Sequence, residues 1–112
     1  MWKQKRISVV IPVYNEEQGV KACIEDLFST GVVDEVIAVD NNSIDNSARL
    51  IKESQAKYFN EKIQGYGAAL QRGLKEAKGD YIIMAESDGT FIAKDIFKFL
   101  AYVDEFDVVF GT

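Results

Sequence analysis

Apolar residues fall into two alternating patterns along this chain. The first is short, unbroken runs: "ISVVIPV" (Ile7 to Val13), "EVIAV" (Glu35 to Val39) and "YIIMA" (Tyr81 to Ala85). Runs of this kind, rich in β-branched residues and lacking a polar face, predict strands buried on both sides, the last of them central. Pro12 marks where ladder hydrogen bonding stops on the first. The second pattern has helical spacing. Val20, Cys23, Ile24, Leu27 and Phe28 predict a helix. Asn15 and Gln18 have the spacing of a capping box, Glu16 and Glu17 suit the positive end of the helix dipole, and Gly31 is a natural stop. Ile44, Ala48 and Ile51 predict a second helix, and Leu70, Leu74 and Ala77 a third that Gly79 ends. Ile96, Phe99, Leu100 and Val103 predict a fourth. "KYF" (Lys57 to Phe59) reads as a short edge strand and "DVVFGT" (Asp107 to Thr112) as a final strand. This alternation, free of repeats and linkers, predicts an α/β fold: a parallel sheet flanked by helices on both faces and wound by right-handed crossovers.

Composition narrows what such a domain does. The 112 residues suit one domain, 1–112, with an ordinary globular balance of 47% hydrophobic and 28% charged residues. The net charge of −5 argues against a nucleic-acid partner. A small anionic ligand would need a local cation or a metal to offset that field. There is no histidine, which excludes an imidazole base and His-containing zinc sites. The single cysteine, Cys23, allows no internal disulfide, which suits the cytoplasm, and it falls on the apolar helix face as a core residue. No apolar run approaches a transmembrane span, and no signal-peptide core is visible. The basic start "MWKQKR" reads as a solvated lead-in, with contact to a membrane surface as the alternative.

Ligands of open parallel sheets bind beyond the carboxyl ends of the strands. Three of those ends carry polar clusters here: Tyr14-Asn15-Glu16, Asp40-Asn41-Asn42 and Glu86-Ser87-Asp88. Loop chemistry explains any one of them, since Asn, Asp and Ser favour caps and turns. Three at one edge, with no matching cluster expected at the other, favour a site. Glu86 and Asp88 together suit Mg²⁺ or Mn²⁺, which bind through one or two carboxylates and complete their shell with phosphates and water. The competing reading is a turn at Asp88-Gly89 with Glu86 solvated. Tyr14 offers a flat face for a base, and Glu16 an acceptor for a ribose or an imide; a rim aromatic and a helix-start acid are the plain alternative. "GYGAAL" lacks the full dinucleotide fingerprint, so Gly65 and Gly67 read as allowing backbone approach or a turn into the helix. Lys62 and Arg72 read as solvated helix-flank charges, with help to a phosphate as the alternative.

With these clusters assembled, the chain resembles family 2 glycosyltransferases of the GT-A fold, most closely the branch of dolichyl-phosphate mannose synthase and other polyprenyl-phosphate sugar transferases. The resemblance is carried, in order, by "ISVVIPVYNEE", "EVIAVDNNSIDNS", "QGYGAALQRGLKEAKGDYI" and "AESDGTF". It implies the Rossmann-like nucleotide-binding half of that fold and a nucleotide-diphosphate sugar donor. Pro12, Tyr14 and Glu16 match the segment that contacts base and ribose. Asp40 and Asn41 match an acidic pair that contacts the base. Glu86, Ser87 and Asp88 match the D-x-D motif, whose acids hold ribose and the metal, here Asp88 and Glu86. A polyprenyl phosphate is the implied acceptor, at the cytoplasmic face of a membrane. The chain departs from the family pattern at Asn41, where an acid is usual, and at Glu86, one methylene longer than Asp. The family's chain also normally continues past "VVFGT", and the missing half carries the acceptor site and general base. No base is assignable here, and the expected role of this stretch is donor binding. Two other readings stand beside it: a receiver-type phospho-acceptor domain using Asp40, and a non-catalytic module that self-associates through the sheet edge at "DVVFGT".

Overall fold

In the computed structural model, residues 1–87 and the strand Val108–Phe110 are described. Five strands form one sheet: β1 (Ile7–Val13), β2 (Glu35–Asp40), β3 (Lys57–Asn60), β4 (Tyr81–Met84) and β5 (Val108–Phe110). Their order is β3-β2-β1-β4-β5, and every neighbouring pair is parallel. The parallel α/β reading therefore holds. β3 is an edge strand as expected, β5 lies at the opposite edge, and β4 is a central strand as expected, paired on both sides, with β1 in the middle of the sheet. The fourth helix, expected at Ile96, Phe99, Leu100 and Val103, lies outside the described residues, as do Asp107, Gly111 and Thr112.

Strand periodicity sorts the core onto two faces. Ile7, Val9, Ile11 and Val13 of β1 pack with Val36 and Ala38 of β2 under α1 (Val20–Ser29) and α2 (Ser47–Lys52), where Ile24, Leu27 and Ile51 are buried. Val10 of β1 and Ile37 and Val39 of β2 face the other way, with Ala69 of α3 (Tyr66–Glu76). Gly73 of α3 lies so close to Val10 that any side chain there would overlap it. That close approach, unread in the sequence, lets α3 lie low on the sheet. Cys23 is half-buried and packs against the first of these clusters, as its place on the apolar face of α1 predicts.

Several local expectations are corrected. Asn15 does not cap α1, which starts five residues later at Val20 with no acid in its first turn. Instead Asn15 turns the chain at φ 53°, and its Oδ1 accepts the Ile44 N–H at 2.9 Å. The spacing that resembles a capping box serves a loop-to-loop contact. Ile44 is not on the face of α2, which begins at Ser47; its side chain is 90% exposed. At the start of the chain Lys3, Lys5 and Arg6 are exposed, as a solvated lead-in predicts, but the backbone is held: Trp2 and Lys5 bridge across a tight turn with Lys3 and Gln4 at positive φ, and Trp2 packs on the core.

The amino-terminal ends of the strands also carry a polar cluster, which the sequence reading did not expect. Glu35 is 5% exposed. Its carboxylate accepts hydrogen bonds from the Ser8 hydroxyl, from Lys57 Nζ at 2.8 Å and from the Lys78 N–H at 2.6 Å. Ser8 Oγ in turn accepts the Gly79 N–H at 2.8 Å. Burial pushes the Glu35 carboxyl up, but the bonds from Lys57, Ser8 and Lys78 outweigh it and bring its pKa down to about 2. This cluster ties β1, β2, β3 and the entry to β4 together.

Candidate functional site

The strand order reverses between β1 and β4: the chain winds outward from β1 to β3, then returns past β1 to β4. A crevice opens beyond the carboxyl ends at such a switch point. A cavity of about 380 Å³ lies there, within the range of small-molecule sites, roughly 300–1,000 Å³. The β1 end lines it with Pro12, Val13, Tyr14 and Glu16, and the β4 end with Glu86 and Ser87. Asn41 closes it from β2, while Gln64, Gly65, Tyr66 and Ala69 come from the entry and first turns of α3.

Six of the expected residues thus meet on one cavity: Pro12, Tyr14, Glu16, Asn41, Glu86 and Ser87. Asp40 lies apart from the described lining. It is 3% exposed, its Oδ1 accepts the Ser43 N–H at 3.2 Å, and its Oδ2 accepts the Tyr58 hydroxyl at 3.4 Å. Burial, and then the Asp40 charge, raise the pKa of the Tyr58 phenol, which therefore stays a donor. Asp88 lies outside the described residues. Gln64, Tyr66 and Ala69 were not singled out in the sequence. The signal that points to them is the glycine before Tyr66: Gly65 has φ 135°, a conformation that favours glycine, and it aims the start of α3 at the crevice.

The loops that carry these residues are tied to one another. The Asn15 N–H donates to Ser43 Oγ at 2.9 Å and the Glu16 N–H to Ser47 Oγ at 2.8 Å. The Glu17 N–H donates to Asp45 Oδ2 at 3.2 Å, and the Asn46 N–H returns to Glu17 Oε2 at 3.2 Å. Glu17 therefore holds a loop instead of meeting the α1 dipole. Across the cavity, the Tyr66 hydroxyl donates to Glu86 Oε1 at 3.2 Å. The loop after β4 rests on the start of α1: a Cβ on Gly19 would stand 2.9 Å from the Ser87 carbonyl oxygen, and Cys23 Sγ lies 3.9 Å from the Glu86 carbonyl oxygen. Lys62 is exposed, as expected of a solvated flank. Arg72 is not: it donates to Glu76 at 2.9 Å and to the Asn60 carbonyl at 3.3 Å, and it stacks over Phe59.

Two features describe what the cavity suits. Its described lining holds the acids Glu16 and Glu86 and no Lys or Arg. Ser87 is 3% exposed, and its hydroxyl has no hydrogen-bond partner among the described residues. A buried hydroxyl without a partner is costly. No group of three or more His, Cys, Asp or Glu side chains gathers as a metal cage among the described residues. Mg²⁺ and Mn²⁺ require none, because one or two carboxylates and the ligand's phosphates suffice. The Glu86 carboxylate on the cavity, with Asp88 two residues on, fits that donor set.

Comparison with known proteins bears on the same site. Undecaprenyl-phosphate 4-deoxy-4-formamido-L-arabinose transferase of Proteus mirabilis is 34% identical over 119 residues, covering 96% of this chain and 36% of that protein. Dolichyl-phosphate beta-glucosyltransferase of Homo sapiens is 29% identical over 111 residues, covering 84% of this chain and 34% of that protein. The chain thus spans about a third of these relatives' lengths. Among solved structures, glucosyl-3-phosphoglycerate synthase of Mycobacterium tuberculosis superposes with a TM-score of 0.78 at 26% identity, over 89% of this chain and 40% of that one. The same synthase solved with Mn²⁺ and uridine-diphosphate-glucose gives a TM-score of 0.73 at 27% identity, over 89% and 39%. The receiver-type alternative finds no support, since receivers have the order 2-1-3-4-5 and this sheet runs 3-2-1-4-5. The family model for glycosyl transferase family 2 matches residues 8–112, and the chain belongs to that family.

Proposed function

We propose that this chain forms the donor site of a glycosyltransferase, binding a nucleotide-diphosphate sugar with Mg²⁺ or Mn²⁺. The observation that carries this is the acid-lined cavity without a basic side chain in its described lining, placed at the β1/β4 switch point. A diphosphate entering it meets Glu16 and Glu86, and only a cation between them makes the approach favourable. Pro12, Tyr14 and Glu16 receive base and ribose, with Tyr14, 53% exposed, offering its ring face. Ser87 donates to the ligand, and Asp88 and Glu86 hold the metal. When bound, that metal neutralises charge on the departing diphosphate. Asp40 acts from behind, by ordering the loop after β2.

The acceptor we propose is a polyprenyl phosphate, supported by the two relatives whose names carry such lipids. The proposed place of work is the cytoplasmic face of a membrane. No helix among the described residues is long and apolar enough to cross one. Titration calorimetry tests the donor site. A nucleoside diphosphate should bind with Mn²⁺ or Mg²⁺ present and lose at least tenfold in affinity with chelator, or with Asp88→Ala or Glu86→Gln. Metal-free binding of equal strength would overturn the proposal.

A further inference from the structure

Asn41 stands on the cavity wall, yet its amide is already committed. Its Nδ2 donates to the carbonyl oxygens of Glu61 and Ile63, each at 2.9 Å. Its Oδ1 accepts the Gly65 N–H at 2.8 Å and Gln64 Nε2 at 3.3 Å. The main chain is engaged as well: the Asn41 N–H donates to the Val13 carbonyl at 2.8 Å, and its carbonyl accepts Gln64 Nε2 at 3.2 Å. The residue is 4% exposed. Asn42, next in the chain at φ 66°, repeats the pattern, donating to the Lys62 carbonyl at 3.0 Å and to Gln64 Oε1 at 3.1 Å.

Residues 61–65 form neither helix nor strand. This strap supplies Gln64 and Gly65 to the cavity and leads directly into Tyr66. Two consecutive asparagines hold it. The bonds at Asn41 need two N–H donors and one acceptor at the end of a two-carbon stem. Asp has the length but no donor, and Ser is too short.

We propose that Asn41 is a positioning residue: it latches the 61–65 strap as a fixed wall of the cavity and acts on a bound nucleotide only through that strap. The proposal rests on the nucleotide-binding reading above, and its test separates the two. Amide hydrogen exchange is measured on the unliganded protein, then the uridine, guanosine, cytidine and adenosine diphosphates are titrated with Mn²⁺ present. Asn41→Asp sets a carboxylate against two carbonyl oxygens, and the Gly65 and Ile63 amides should exchange at least tenfold faster. Asn42→Asp removes the outer latch alone and should speed the same amides by less. Both variants should weaken the same nucleotides in the same pattern. If Asn41→Asp re-ranks the nucleotides while Gly65 exchange is unchanged, Asn41 reads the ligand itself and the proposal falls. It falls also if Asn42→Asp frees the strap with no loss of affinity. Should Asn41→Asp not fold, Asn42→Asp decides by the same two readings. A wild-type chain that binds no nucleotide sinks the donor-site reading, and the exchange rates then decide the latch alone.

Discussion

On the proposed donor-site reading, Ser87 concentrates the tension between stability and binding in a single hydroxyl. It is buried on the wall of the cavity with no partner among the described residues, so the free protein bears the cost of keeping it dry. Ser87→Ala removes that cost. The variant should be more stable by about 1 kcal/mol in thermal denaturation, while nucleoside-diphosphate affinity falls roughly fivefold or more. A variant that is both less stable and unchanged in affinity would mean the hydroxyl serves the fold. Tyr14, Glu16 and Glu86 were legible because a polar residue just after a buried strand is conspicuous. The place of Asn41 on the cavity was legible, but its hydrogen bonding was not, since its amide nitrogen donates to carbonyl groups of residues 61 and 63, which carry no sequence signature. Asn15 was misread for a related reason: an asparagine can cap a helix or tie down a loop with the same oxygen, and spacing does not distinguish the two.

Among the elements, β2 shows best how strand ends divide the labour. Its carboxyl end buries Asp40 and leads into Asn41 on the cavity wall, and its amino end carries Glu35 into the buried cluster with Ser8, Lys57 and the Lys78 N–H. The folded-state pKa of Glu35, about 2, lies below its ordinary 4.5. The stabilisation is therefore fully present above pH 4.5 and is lost as pH falls from there toward 2. Acid denaturation followed by circular dichroism should show this limb in the wild type and a flatter one in Glu35→Gln. That variant should also lose about 2–3 kcal/mol at neutral pH, because the N–H groups aimed at the carboxylate lose their charged acceptor. An unchanged acid limb would remove the cluster from the account of stability. The strands themselves were plain from sequence because both faces are apolar. The cluster was hidden because a glutamate at the start of a strand resembles a solvated one, and its burial depends on β3 and the entry to β4 arriving beside it.

At the scale of the whole molecule, order along the chain and order across the sheet differ. β1 pairs with β2 through Ser8 and Glu35, nearer in sequence, but with β4 through Ile7 and Tyr81, far apart along the chain. Its α/β class followed from the alternation of runs and periods. The reversal at β1 did not, because parallel strands carry no mark of which neighbour they choose. The cavity lies across that reversal, so it exists only after the longest loop of the sheet has closed. Closing such a loop costs entropy before its contacts repay it, and non-local pairings form slowly. The β2–β1 half is then expected to assemble first, with β4 docking late. A nucleotide that bridges β1 and β4 would find its site only in the finished sheet. Stopped-flow kinetics should show bound nucleotide and Mn²⁺ slowing unfolding while leaving the folding rate almost unchanged. The switch point that makes room for a ligand thereby makes the ligand a clasp, closed last and opened first.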